Sequence, residues 1–162
     1  MAIQRTPELL RLLLEGEVEF VIIGGVAAIA HGSAAFTLDF DIAAPLTEAN
    51  LIRLLGALAS HHPRYAMAGD KRPVTEPPAV LASNRNLYLL TDLGRLDILG
   101  EVAPIGSFET LAARADEMEV LGHRCRVISL DDLILVKAHL GRGKDQLVER
   151  ELRAIRARLR SR

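Results

Sequence analysis

Residues 21–32 read VIIGGVAAIAHG, and residues 38–42 read LDFDI. The first stretch opens with a β-branched apolar run of strand length, which ends at Gly24 and Gly25. The small residues that follow favour a short helix packed closely on a sheet. The sequence therefore predicts a strand over 18–23, a tight turn at the two glycines and a short helix over 26–30.

The second stretch places two carboxylates, Asp39 and Asp41, one residue apart inside another apolar run. Alternate residues of a strand point to the same face, so a strand over 37–43 projects both carboxylates together. It would send the residues between and beside them into the core: Leu38, Phe40 and Ile42. Like charges at this separation raise the pKa of one carboxyl unless a cation lies between them. A divalent metal supplies such a cation, and hard oxygen ligands suit Mg²⁺.

A third carboxylate, Asp97, lies in the apolar run RLDIL of residues 95–99. A lone acid is expensive to bury in such a strand. If this strand lies beside that of Asp39 and Asp41, three carboxylates converge, and such a cluster can hold two metals for an in-line phosphoryl displacement. The alternative is an exposed edge strand with solvated Asp39 and Asp41, since the D-x-D pattern alone is common.

The two glycines also suit a phosphate site, because backbone approaches a phosphate closely only where no Cβ intervenes. A strand, two glycines and a helix present backbone N–H groups at a helix N-terminus, where anions bind. The alternative is that the tight turn alone requires glycine. The sequence has no Walker motif, since no Gly-Lys-Ser/Thr follows, and it lacks the G-x-G-x-x-G fingerprint of dinucleotide-binding folds.

The rest of the chain mixes helices and strands. Capping residues and apolar spacing predict helices over 6–15, 48–61, 108–114, 130–140 and 144–159. Alternation and turn residues predict strands over 86–91, 94–99, 117–121 and 124–128. The proline-rich segment 63–83 is expected to be an irregular loop with a short strand near Tyr65.

These elements indicate an α+β fold, in which a mixed β-sheet is flanked by helices and a small helical part closes the chain. Hairpins imply antiparallel or mixed strand pairing. We expect a core of residues 1–128 and a C-terminal helical pair of residues 129–162 packed on it, in a single compact domain.

Composition narrows the class of protein. The chain has 162 residues, 49% of them apolar, and a net charge of −1, which gives no sign of a polyanionic partner. Residues 137–162 hold nine Lys/Arg against three Asp/Glu, either a solvated helix face or an electrostatic footprint for nucleotide phosphates or RNA. A single cysteine, Cys125, suits a cytoplasmic protein, and we expect it to face inward from a strand. No apolar run is long enough to span a membrane.

Taken together, Gly24-Gly25, the Asp39-x-Asp41 pair after a short helix and the distant Asp97 resemble the nucleotidyltransferase fold superfamily, the polymerase-beta-like group. In particular, the chain resembles small bacterial nucleotidyltransferase-like proteins akin to the AbiEii-type toxins. The resemblance covers most of the chain and includes residues 137–145, where that group carries a Lys and a Lys-Asp pair. It implies a fold of that type and the Mg²⁺-dependent transfer of an NMP from an NTP to a hydroxyl acceptor.

The resemblance also assigns roles to the three carboxylates. Asp39, Asp41 and Asp97 would be the catalytic residues and would coordinate Mg²⁺ or Mn²⁺. Asp97 would also help to deprotonate the attacking hydroxyl.

The remaining matching residues would bind the nucleotide. Gly24 and Gly25 would hold the triphosphate, and Thr37 is retained beside the D-x-D pair. Lys137 and Lys144 would lie near the phosphates, with solvent-exposed lysines as the alternative. The resemblance further implies that Asp145 orients one of these lysines.

At one position the chain departs from the group it resembles. Ala35 stands two residues before Thr37, where related proteins often carry an Arg, and this removes a phosphate or substrate contact. Two hypotheses follow: an active nucleotidyltransferase, or a catalytically silent relative that binds nucleotide or a protein partner. For the first, the acceptor is RNA such as tRNA, a protein or a small molecule, and the chain would act as the toxin of a toxin–antitoxin pair with an antitoxin-type partner. No readout of DNA sequence is expected.

Overall fold

Seven α-helices and nine strands form among residues 3–162, the part of the chain that this computed structural model describes. The helices are α1 Thr6–Glu15, α2 Gly24–Ala30, α3 Glu48–Leu58, α4 Pro78–Leu81, α5 Phe108–Ala113, α6 Leu130–Leu140 and α7 Gly143–Arg160. The strands are β1 Val21–Ile23, β2 Phe40–Ala43, β3 Arg64–Tyr65, β4 Asn86–Thr91, β5 Gly94–Leu99, β6 Glu101–Val102, β7 Gly106–Ser107, β8 Asp116–Val120 and β9 His123–Val127.

Seven of the strands make one mixed sheet in the order β3-β4-β5-β2-β1-β9-β8. The pairs β2–β5 and β1–β9 are parallel, and the other pairs are antiparallel. Strands β6 and β7 form a separate hairpin. The predicted α+β class, a mixed sheet flanked by helices with a helical C-terminal part, is confirmed.

One face of β4 and β5 is buried and the other is half-exposed, because every second residue of these strands is buried. The buried face joins a core that includes apolar residues of α1, α3, α6 and α7. The helical pair α6–α7 contributes four buried residues to this core: Leu133, Ile134, Leu152 and Ile155. Its apolar face is therefore continuous with the core of the sheet.

The junction between α6 and α7 is set by local signals. The Ser129 side chain caps α6 by accepting a hydrogen bond from the Asp132 N–H at 3.1 Å. Gly141 ends α6 with a φ of +64°, in the left-handed region that glycine adopts without strain. This turn brings the end of α6 back beside the start of α7.

Two strands are shorter than predicted. The strand expected over 18–23 begins only at Val21, because the Asn50 side chain hydrogen-bonds both the N–H and the carbonyl of Glu19, at 2.8 and 3.0 Å. The strand expected over 37–43 begins at Phe40, because the Thr37 hydroxyl bonds the backbone of Asp39. Leu38 therefore lies exposed rather than in the core.

Other elements differ in detail. Arg5 occupies the N-cap position of α1 without a side-chain capping bond, and residues 59–61 finish the third helix as a 3₁₀ turn. The loop over 63–83 holds β3, as expected, and also α4, which was not predicted. None of the helices among residues 3–162 is both long and apolar enough to cross a membrane.

Replacing Leu152 with Ala should lower the free energy of unfolding by about 2–4 kcal/mol, because the side chain is fully buried between α7 and the core. Leu159→Ala on the same helix is the matched control, since Leu159 is 57% exposed and should change stability by less than about 0.5 kcal/mol. Urea unfolding measures both. Equal effects would show that α7 is not packed as described.

Candidate active site

The site is built on the register between β2 and β5. Asp41 lies directly opposite Asp97 in this parallel pair, so the two carboxylates are neighbours on one face of the sheet. Asp39 lies just before β2, outside the strand. All three side chains line one cavity of about 580 Å³, a volume typical of small-molecule sites. The cavity is also lined by Gly25, Ala28, Ala34, Ala35, Phe36, Thr37, Lys137, Arg142, Lys144, Asp145, Leu147, Val148 and Glu151.

The two glycines pack against predicted site residues. A Cβ on Gly24 would lie 3.0 Å from the Asp41 Cβ, and the φ of Gly24 is +67°. A Cβ on Gly25 would lie 2.7 Å from the Thr37 Cβ. Both positions therefore require glycine because the carboxylate and the hydroxyl-bearing loop approach the start of α2 closely.

The carboxylates carry electrostatic strain. Burial raises the pKa of Asp41 to about 6, and the charges of Asp97 and Asp39 add to this shift. Burial also raises the pKa of Asp97, against the opposing effect of Arg95. Among residues 3–162, neither Asp39 nor Asp41 has an ion-pair partner within 4 Å.

Arg95 is a site residue that the sequence analysis missed. Its Nε donates to Asp97 Oδ1 at 2.8 Å, from two residues earlier on the same face of β5. The spacing of two in RLD was the signal that could have found it. Arg95 compensates part of the negative charge at the sheet.

The helical pair places a cation near Asp41. Lys137 of α6 is only 9% exposed, and its charge lowers the pKa of Asp41. Its Nζ donates to Asp145 Oδ1 at 3.2 Å, and Arg142 Nε donates to Asp145 Oδ2 at 2.6 Å. Burial alone would raise the pKa of Asp145, but these two hydrogen bonds hold it below its usual value. Lys144 lines the cavity from an exposed position.

The three carboxylates are of the ligand type that a divalent cation prefers, but their side chains are not arranged as a metal-binding cluster. Asp39, Asp41 and Asp97 offer hard oxygen donors to one cavity, and a cation would stabilise the ionised form of Asp41, which burial and the charges of Asp97 and Asp39 disfavour. Within the described residues, no three His, Cys, Asp or Glu side chains are placed as a ligand cluster. Ligation by Asp97 would compete with its bond to Arg95.

Glu151 of α7 anchors the loop between α2 and β2. Its two carboxylate oxygens accept hydrogen bonds from the Ser33 hydroxyl and from the Ala34 N–H, both at 2.7 Å. These two bonds hold the pKa of Glu151 below its usual value. The anchored loop continues through Ala35 and Thr37 along the cavity. No local pattern predicted this contact, because Ser33 and Glu151 are 118 residues apart.

Other candidate residues lie outside the cavity lining. His31 is the C-terminal cap of α2, and its Nε2 bonds the Ile128 carbonyl oxygen at 2.8 Å. Cys125 faces inward from β9, as expected, and burial raises the pKa of its thiol.

Three arginines of α7 form ion pairs within the chain. Ion pairs join Arg156 and Arg160 to Asp131, and Arg153 to Glu149. These contacts favour a solvated helix face over an RNA footprint.

Comparison with known protein families and with characterised proteins finds no match. Among solved structures, the chain is similar to the crystal structure of a "putative nucleotidyltransferase" from Thermotoga maritima, with a TM-score of 0.51. The two share 17% sequence identity, over 99% of this chain and 98% of the other. This likeness shows that the two chains share a fold, while the nucleotidyltransferase superfamily and its AbiEii-like subgroup stay predictions.

Asp41→Asn should stabilise the metal-free protein at pH 7.5. Because the pKa of Asp41 rises from 3.8 to about 6 on folding, its ionised form opposes folding above pH 6 and has no such effect below pH 3.8. At about 1.4 kcal/mol per pKa unit, the gain is roughly 2–3 kcal/mol at pH 7.5 and vanishes near pH 4. Thermal unfolding in EDTA at both pH values measures it. Asp116→Asn, at an exposed site on β8, is the control, and an equal gain there would contradict the assignment.

Glu151→Gln should free the loop of residues 33–38, because an amide has one acceptor oxygen for two donors. Hydrogen exchange at these residues should be faster than in Glu149→Gln. That control weakens only the ion pair between Glu149 and Arg153 on the same helix, which does not contact the loop. Since the pKa of Glu151 is lowered on folding, the difference should be full at neutral pH and should shrink only as the pH falls below 4.5, the ordinary value for a glutamate. Equal exchange in both variants would show that the carboxylate does not hold the loop.

Proposed function

We propose that the protein is a nucleotidyltransferase that moves an NMP from an NTP to a hydroxyl acceptor. The observation that carries the proposal is the pairing of Asp41 with Asp97 across β2 and β5, in one cavity with Asp39 and the buried Lys137. Carboxylates on a sheet facing a cation from a packed helix suit a metal–triphosphate complex. The fold shared with the Thermotoga maritima protein supports this class of reaction.

In the proposed reaction, an acceptor hydroxyl oxygen forms a bond to the α-phosphorus while the bond to the β-phosphate bridge oxygen breaks. Pyrophosphate leaves, and the hydroxyl proton passes to a carboxylate. Asp97 suits this base, because burial raises its pKa. Lys137 and Lys144 would contact phosphate oxygens, and Asp145 holds the Lys137 ammonium in place.

Asp39, Asp41 and Asp97 would hold Mg²⁺ or Mn²⁺, which when bound would supply Lewis-acid polarisation of the phosphate oxygens. Gly24 and Gly25 would let the triphosphate approach the start of α2, and Thr37 borders that approach. RNA, a protein or a small molecule remains the proposed acceptor, and a toxin–antitoxin role in bacteria remains part of the proposal.

A catalytically silent nucleotide-binding or interaction module is the second candidate. Two observations favour it: Ala35 offers no cation to the cavity, and the bond from Arg95 satisfies Asp97 without a metal. The two candidates differ in whether bound nucleotide is turned over.

The deciding experiment measures the melting temperature with ATP, GTP, CTP or UTP, with and without Mg²⁺, followed by a transfer assay with labelled NTP. A ligand at ~100 times its Kd should add roughly 2.7 kcal/mol of stability. We expect a Mg²⁺-dependent shift that Asp41→Ala abolishes and Asp116→Ala retains. Binding without turnover or pyrophosphate release would favour the silent module. Transfer activity that survives Asp41→Ala would exclude the proposed site.

A further inference from the structure

The cavity is polar at one end and apolar at the other. Its polar end holds Asp41, Lys137 and Asp145. Around Glu151, whose carboxylate bonds the loop, a second group of lining residues is apolar: Ala28, Ala34, Ala35, Phe36, Leu147 and Val148. A ligand that fills it should therefore carry charge at one end and an apolar surface at the other.

Three chain segments connect these ends: α2 and α7 run from the polar end to the apolar end, and the loop of residues 34–37 runs back. Along α2, Gly25 packs on Thr37 at the polar end, and Ala28 follows one turn later, where its carbonyl accepts the Ser33 N–H at 2.9 Å. Along α7, Asp145 bonds Lys137, and Glu151, six residues and roughly 9 Å further on, bonds the loop. The loop itself passes from the apolar Ala34 to Thr37. The change from polar to apolar lining therefore follows all three segments that form the cavity.

The apolar end is held in shape by the Glu151 anchor. The Ser33 hydroxyl donates to Glu151 and accepts the Ala35 N–H at 3.0 Å, and Ser33 is buried. Two large apolar side chains nevertheless stay open to solvent beside this end: Phe36 is 84% exposed and Leu147 is 67% exposed. Exposed apolar groups on a fixed frame are typical of a binding surface.

We propose that the apolar end is the nucleobase subsite, with the base stacked on Phe36 and covered by Leu147. This proposal rests on the proposed function, because the phosphates must occupy the polar end. A planar, largely apolar ring joined to a charged triphosphate matches the polarity of the cavity from end to end. The side chains at this end are apolar apart from Glu151, so this end holds a base by stacking area, which is larger for a purine than for a pyrimidine.

The test compares binding of ATP and inorganic tripolyphosphate, each with Mg²⁺, by calorimetry. Phe36→Ala should weaken ATP binding about tenfold, within the range of base–aromatic stacking, and should leave tripolyphosphate binding unchanged. Phe36→Tyr keeps the ring and should bind ATP like the wild type. Leu147→Ala should weaken ATP binding by about threefold, whereas Leu159→Ala, a control on the same helix, should have no effect. Since Phe36 and Leu147 are exposed, their truncation leaves the core intact.

The outcomes separate the two proposals. If ATP and tripolyphosphate bind the wild type but Phe36→Ala and Leu147→Ala change ATP affinity no more than Leu159→Ala, the base lies elsewhere and the nucleotidyltransferase proposal stands. If neither ATP nor tripolyphosphate binds the wild type, both proposals fall. Loss of ATP and tripolyphosphate binding together in Phe36→Ala would make Phe36 a general support of the site and overturn its role as a base contact.

Discussion

The placement of two partly buried carboxylates, Asp41 and Asp97, side by side on the sheet is the constraint on which the rest of the site depends. The parallel register of β2 and β5 sets these carboxylates side by side, and burial makes their ionisation costly. Two cations of the fold offset part of this cost. Arg95 bonds Asp97 from the same strand, and Lys137 of α6 lies near Asp41. Asp41 keeps a raised pKa in spite of Lys137, so a cation beside it would stabilise the folded chain.

The C-terminal helical pair is therefore part of the site as well as of the core. Asp145 is 1% exposed and binds both Lys137 and Arg142, so the start of α7 fixes the cation that faces the sheet. Two turns later, Glu151 fixes the loop that forms the opposite wall. Because both contacts come from one rigid helix, the separation of the cavity's polar and apolar ends is set by helix geometry rather than by a flexible segment.

Local sequence patterns predicted most of the helices and strands. Strands β4 and β5 follow an alternation of apolar and polar residues and were predicted to their ends. The errors came where a side chain outcompeted the sheet for backbone hydrogen bonds: Asn50 at Glu19, and Thr37 at Asp39. The convergence of the carboxylates could be predicted only on the condition that β5 lies beside β2. No local signal in the sequence determines which strands become neighbours. Asp97 was predicted because a lone acid is costly in the apolar run of residues 95–99, and the resemblance to nucleotidyltransferases agreed. The contact of Glu151 with the loop had neither a local pattern nor a resemblance to indicate it.

The two candidate functions differ in what they require of the charged side chains in the site when no nucleotide is bound. Arg95 and Asp97 satisfy each other, and Asp145 satisfies Lys137 and Arg142, so a large part of the charge is neutralised within the chain. Such compensation lets a silent relative keep these residues at little cost in stability. Asp41 is different, because its pKa rises to about 6 even with Lys137 nearby. A neutral side chain at this position would stabilise the cation-free chain, and the place of this carboxylate opposite Asp97 supports the proposed metal–nucleotide complex.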